Sequence, residues 1–144
     1  EGNYSLDTGK ATVNKHLTKK TFDFQGFNYA DGSGLSRSNV ITPMSQVKFL
    51  SELMNEKHFD SYFKSLPIGG QTGTLRSMFL NTEAYGQVFA KTGTLNRVKT
   101  LAGYIKTKKG KLLTFSLLIN NYNGSVAQVK KKMESILIPI LDLK

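Results

Sequence analysis

The residues best suited to chemistry lie late in the chain, in the run Ala90-Lys91-Thr92-Gly93-Thr94-Leu95. Lys91 supplies a fixed positive charge, and Thr92 supplies a hydroxyl for a carboxylate or acyl oxygen. Gly93 lets a substrate backbone approach with no Cβ in the way. An exposed strand edge at this point can also take up an extended peptide by strand addition. The tripeptide K-T-G alone fits an ordinary edge strand with a Thr-Gly turn equally well, so its setting must decide. Other candidates fail on spacing. His16 and His58 are isolated and stand in no metal-ligand spacing, so no metal site is expected. Asp31 stands where the G-x-S-x-G nucleophile pattern needs glycine before Ser33. Lys108-Lys109-Gly110-Lys111 lacks the upstream glycine and the following Ser/Thr of a phosphate-binding loop. With no cysteine, disulfides, cysteine-zinc sites and thiol catalysis are all removed.

The elements that must position these residues follow from pattern. Ser5 or Asp7 caps a short helix carrying Ala11, Val13 and Leu17, weakened by Gly9. Thr21 to Ala30 is rich in aromatics (Phe22, Phe24, Phe27, Tyr29) and reads as extended. Asp31 to Asn39 is too full of small and turn-forming residues for a regular element. Thr42-Pro43 opens a helix as cap and first position, bearing Met44, Val47, Phe49, Leu50, Leu53 and Met54. A second short helix holds Phe59, Tyr62 and Phe63 and ends near Leu66-Pro67, and a further one is expected over Thr74 to Leu80. The period then changes. Gln87–Leu95, Thr100–Thr107 and Lys111–Asn120 read as three strands, the last two joined by a hairpin through Gly110. Leu113, Phe115, Leu117 and Ile119 share one face. Ser125 caps a final helix with Val126, Val129, Met133, Ile136, Leu137 and Ile140 at helical spacing, which Pro139 must kink or end. Helices followed by an antiparallel sheet and a covering terminal helix indicate an α+β fold.

The chain of 144 residues suits one domain, or a compact part of a larger one. Its 39% hydrophobic and 21% charged content excludes the disordered and collagen-like classes. No apolar run approaches the roughly 20 residues that span a bilayer, and no signal peptide is visible at its start. The formal net charge of +10 is one-sided: residues 1–90 contribute +1 and residues 91–144 contribute +9. The excess falls on a hairpin tip (Lys106, Lys108, Lys109, Lys111) and a helix face (Lys130, Lys131, Lys132), without interleaved aromatics. Such clusters are solvated faces rather than a nucleic-acid site, and no nucleic-acid partner is expected.

Taken together, Asp31-Gly32-Ser33-Gly34-Leu35-Ser36-Arg37, Leu66-Pro67, Gly73-Thr74-Leu75, Lys91-Thr92-Gly93-Thr94-Leu95 and Leu101-Ala102-Gly103-Tyr104 carry a family likeness. In this order they resemble the class C penicillin-binding proteins, the D-alanyl-D-alanine carboxypeptidase/endopeptidases of bacterial peptidoglycan. The resemblance runs from about Gly2 into the last helix. It implies a penicillin-binding-protein/β-lactamase-like domain, a serine acyl-enzyme mechanism and a place in the cell envelope. It implies no cofactor, and its partners are peptidoglycan stem peptides and β-lactams.

On that resemblance, Lys91 organises the polar cluster and favours the substrate's terminal carboxylate. Thr92 and Thr94 offer it hydroxyls, Gly93 keeps the strand open, and the Thr94 N–H forms half of an oxyanion hole. Arg37 fits a stem-peptide carboxylate through its planar fork, or else a loop-fixing salt bridge, and Asn96 is placed to line the same pocket. Ser33 and Ser36 read as loop serines that bond backbone. The family uses S-x-x-K, S-x-N and K-T-G motifs. This sequence has no S-x-N, and its two S-x-x-K strings, Ser45 to Lys48 and Ser61 to Lys64, follow the D-G-S-G-L-S-R segment that the nucleophile should precede. Residues 1–144 are therefore expected to be the C-terminal part of the penicillin-binding domain. They would be inactive alone, with the nucleophile in an N-terminal portion that is a partner for this one. A non-catalytic peptidoglycan-binding or scaffolding relative is the alternative, separable by whether the upstream sequence holds S-x-x-K followed by S-x-N.

Overall fold

Of the two caps the sequence offers, Ser5 opens the first helix: its hydroxyl accepts from the Thr8 N–H, and α1 runs Leu6–Lys19. The computed structural model describes residues 5–20 and 22–143. Gly2, where the family resemblance starts, and Thr21, at the head of the expected extended segment, lie outside them. Two compact units emerge, Glu1–Phe49 and Leu50–Lys144.

In the first unit the segment after α1 is not a strand. Phe22, Phe24 and Phe27 pack edge-on against one another, with Phe22 also against Phe49, and only Asn28 pairs, with Val40. Ring packing has overridden alternation. The Asp31–Asn39 loop is irregular as expected and held by its own side chains. Asp31 accepts from the Ser33 N–H and hydroxyl at 2.9 and 2.7 Å, and Asn39 accepts from the Ala30 N–H at 2.7 Å. The bonds from Ser33 above all, and one donated by the Asn39 amide, hold the Asp31 carboxyl below the usual carboxylate range. Helix α2, Pro43–Leu53, starts where Thr42 accepts from the Ser45 N–H.

The second unit is built on a sheet ordered β1-β2-β3, with β1 at Val88–Leu95, β2 at Val98–Lys106 and β3 at Leu112–Asn120, both pairings antiparallel. One face carries Val88, Ala90, Leu101, Ile105 and Phe115, all buried against Val129, Met133 and Leu137 of α4 (Val126–Leu137) and against Leu141. Leu113, Leu117 and Ile119 join that layer, as their alternation predicts. The opposite face presents Tyr104, whose hydroxyl donates to the Leu50 carbonyl at 2.8 Å, and Phe89. Leu66 and the Phe59, Tyr62 and Phe63 rings cover them, from α3 (Phe59–Ser65) and its C-terminal end. Close approach of β1 and β2 requires Gly103: a Cβ there would lie 2.2 Å from the Phe89 carbonyl oxygen. Ser125 closes a capping box with Gln128 at the start of α4, and the helix tightens to a 3-10 turn over Ile138–Asp142 around Pro139.

Two expectations need correction. The helix over Thr74–Leu80 reduces to a 3-10 turn, Gly73–Leu75. Beyond it Phe79 and Asn81 adopt left-handed φ values of 63° and 56°, which no helix can continue through. The apolar stripe of α4 is also narrower than its spacing suggests: Val126 and Ile136 are exposed, and Leu141 fills the core instead.

Candidate active site

Val88 and Ala90 anchor the first half of β1 in the core, and burial then falls along Lys91 to Leu95. A strand residue turns its N–H and C=O to the same side, alternately inward to its partner and outward. At the outer edge of β1, Val88 accepts from the Gly69 N–H at 2.8 Å, and Ala90 donates to the Pro67 carbonyl at 3.0 Å. The Pro67–Gly69 segment therefore covers this edge as far as Ala90. By the same alternation Thr92 and Thr94 direct their backbone groups outward, and among the described residues no further bridge covers them. The strand is half covered and half open, and K-T-G-T lies on the open half.

Each side chain of this run has a definite setting. The Lys91 ammonium is exposed and donates to the Thr92 carbonyl at 2.8 Å. Thr92 and Thr94 share the α4-facing side of the sheet, while Lys91 and Gly93 are on the other. Gly93 is needed inside the sheet as well as toward a ligand, since a Cβ would meet the Thr100 Oγ1 across the ladder at 2.4 Å. Asn96 is exposed in the two-residue turn into β2. Its neighbour Arg97 takes a left-handed φ of 57° and donates to the Asn121 carbonyl at 3.2 Å and the Asn123 side chain at 2.8 Å, fixing that turn.

Lys99 was missed by sequence reasoning. It faces Thr94 across the ladder and is only 4% exposed, and its Nζ is 2.5 Å from Thr94 Oγ1. Burial above all, then the charges of Lys130 and Lys91, hold its ammonium below the usual lysine range. A signal was present: Lys99 alternates with Leu101, Gly103 and Ile105, the positions of β2 that face α4.

Arg37 belongs to the first unit, where it is exposed and, among the described residues, forms no ion pair. Ser33 and Ser36 do hold backbone, accepting from the Leu35 and Ser38 N–H groups. Both S-x-x-K strings are otherwise engaged. Ser45 is fully buried, 2.7 Å from the Thr42 hydroxyl, and Lys48 pairs with Asp23 at 3.0 Å. Lys64 pairs with Asp60 at 2.6 Å rather than with Ser61. Among the described residues no group of three or more His, Asp or Glu could hold a metal ion, and no helix is long and apolar enough to cross a membrane.

The sequence profile of the D-Ala-D-Ala carboxypeptidase 3 (S13) family matches residues 1–138. A D-alanyl-D-alanine carboxypeptidase from an Actinomadura species is 35% identical over 123 residues, covering 82% of this chain and 23% of the relative. The D-alanyl-D-alanine carboxypeptidase DacB of Haemophilus influenzae is 31% identical over 130 residues, covering 89% and 27%. The chain thus spans about a quarter of the length of these curated relatives. The crystal structure of penicillin binding protein 4 from Haemophilus influenzae superposes with a TM-score of 0.86 at 26% identity, over 96% of this chain and 33% of that one. The TLA-1 extended-spectrum β-lactamase shares the fold at 15% identity, with a TM-score of 0.73 over 92% of this chain and 54% of that one. The α+β arrangement read from the sequence is therefore that of penicillin-binding proteins and β-lactamases, and the chain belongs to the D-Ala-D-Ala carboxypeptidase 3 family, the class C penicillin-binding proteins.

Proposed function

We propose that this chain forms the substrate-holding wall of a serine-type D-alanyl-D-alanine carboxypeptidase/endopeptidase of peptidoglycan. The nucleophile and the second catalytic motif would come from sequence outside these 144 residues, the N-terminal portion of the same protein. The observation that carries this reading is the open outer edge of β1, where Thr92 and Thr94 of K-T-G-T turn their backbone groups away from the sheet. Membership of the family supports the substrate class, and the burial of Ser45 together with the pairing of Lys48 and Lys64 with aspartates supports a nucleophile from outside.

The chemistry proposed for each residue is supported by the family likeness and by the open edge of β1. The nucleophilic serine attacks the carbonyl carbon of the penultimate D-alanine, and negative charge develops on the carbonyl oxygen. The outward Thr94 N–H and the N–H of the nucleophile receive that oxygen. Such fixed donors bind the charge as it forms and do not reorganise. Lys91, with the Thr92 and Thr94 hydroxyls, holds the terminal carboxylate, and Gly93 leaves the strand free of a protruding side chain. Asn96 lines the pocket past the strand end; Arg37, in the first unit, is a separate candidate for a carboxylate of the stem peptide. β-Lactams enter as mimics of the same acyl donor; the Haemophilus influenzae protein has been crystallised with a β-lactam. The place of action is the cell envelope, where peptidoglycan lies.

The test is intact-mass and peptide-mapping analysis of the complete protein after reaction with a labelled penicillin. One adduct on a serine outside residues 1–144 is expected. An adduct on Ser45 or Ser61, or none at all, would overturn the assignment; the latter would favour the non-catalytic relative.

A further inference from the structure

Lys99 has no part in the chemistry above, yet its position is unusual. A lysine almost wholly removed from water is normally paired with a carboxylate, and among the described residues none pairs with Lys99. The neighbouring charges that act on it are Lys130 and Lys91, both cationic. Its hydrogen-bond partner is the hydroxyl of Thr94, directly opposite in the ladder. An ammonium carries three hydrogens and no lone pair, so in this contact Thr94 Oγ1 must accept. The hydroxyl's own hydrogen is then left to donate, and the cation behind the oxygen polarises it in that direction.

We propose that Lys99 is a positioning residue that fixes the Thr94 hydroxyl as a donor, turning Thr94 into a seat selective for the substrate's carboxylate. Without it, a threonine hydroxyl rotates and accepts as readily as it donates. With it, Thr94 presents two donors, its N–H at the open edge and its O–H. Among the described residues Lys91, Lys99 and Lys130 have no carboxylate partner, and an anionic ligand would complete them electrostatically. This inference rests on the assignment of K-T-G-T to carboxylate binding given above.

The experiment uses the complete protein and a pair of thioester substrates: a D-alanyl thioglycolate with a free carboxylate, and its methyl ester. The quantity read is kcat/KM for the acid divided by that for the ester. Lys99→Met keeps the length of the side chain and replaces a buried charge with an apolar group, a change that proteins often tolerate. It is expected to lower this ratio by roughly 10-fold or more, the scale of one hydrogen bond to a charged group. Thr94→Val should lower the ratio similarly, and the double variant should be no worse than Thr94→Val alone. If Lys99→Met does not fold, Lys99→Gln is read in the same way. Equal losses on both substrates would leave the ratio unchanged, assign Lys99 a purely structural role and overturn the proposal. Loss of selectivity in Thr94→Val but not in the Lys99 variants would overturn the Lys99 role alone. Retained selectivity in Thr94→Val would overturn the carboxylate assignment of Thr94, and the Lys99 role with it.

Discussion

At the scale of single residues, the K-T-G-T run presents its side chains on both sides of a strand. Lys91 lies on one side, and Thr92 and Thr94 on the other. Lys91→Ala in the complete protein should slow β-lactam acylation by about 100-fold, the scale of a lost charge-assisted hydrogen bond to the carboxylate it is proposed to hold. Stopped-flow acylation kinetics would measure this, and a loss of only a few-fold would remove Lys91 from the site. Gly93→Ala tests the sheet rather than the ligand. Its Cβ meets the Thr100 hydroxyl, so a loss of about 1–3 kcal/mol in stability is expected, as for other overpacked sites. Gly93→Ala combined with Thr100→Ala should recover most of it in urea titrations. The serines of the S-x-x-K strings give a third expectation. Incubated alone with penicillin, the 144-residue chain should acquire no adduct at either position. Ser45 is buried against Thr42, and neither string has a free lysine beside its serine.

At the scale of elements, the β2–β3 hairpin is tied to the C-terminal end of the chain. Lys108 pairs with both Glu83 and Asp142, at 2.7 Å from the latter. The hydrogen bonds that Lys108 donates, that to Asp142 first, raise its pKa to about 12. A folded value above the unfolded one, about 10.4, means the contribution is complete below pH ~10.4 and fades as the pH rises through about 12. Titration of the Lys108 Cε resonance should give this raised midpoint, and Lys108→Met should return the hairpin to an ordinary alkaline profile. The pair is exposed, so its effect on stability is small. Elements of this kind were legible in the sequence wherever a local signal marks them. Ser5, Thr42-Pro43 and Ser125 start three helices, and period-2 runs bounded by turn residues mark the strands to within about two residues. The segment after Gly73 was not legible, because what fixes it is distant. The Phe79 N–H donates to Glu134 of α4 at 3.0 Å, a partner 55 residues away. The site followed the same division. Its strand could be read from K-T-G-T, whereas the buried contact of Lys99 depends on the pairing of two strands.

At the scale of the whole molecule, charge is the property most open to misreading. The strong positive excess of residues 91–144 is placed on a hairpin, on the polar face of α4 and beside the strand edge. Its one arginine, Arg97, is occupied in fixing a turn. With no arginine of this basic stretch free to read base edges and no aromatic platform in its lysine clusters, binding to duplex or single-stranded DNA at near-physiological salt should be weak and indifferent to sequence, and should vanish as salt is added. Fluorescence anisotropy with matched and scrambled oligonucleotides would measure this. Submicromolar, sequence-selective binding would contradict it.

The open half of β1 also bears on how the protein behaves in concentrated solution. Backbone groups left unpaired at a strand edge are suited to the strand of a neighbouring molecule as well as to a ligand. The exposed stretch is short, it begins at a lysine, and the Pro67–Gly69 segment closes the edge beside it. All three features discourage strand-to-strand polymerisation. A ligand seated there would therefore act as a colloidal stabiliser besides occupying the site. Saturation with a β-lactam in the complete protein should delay heat-induced aggregation by more than the accompanying rise in Tm explains.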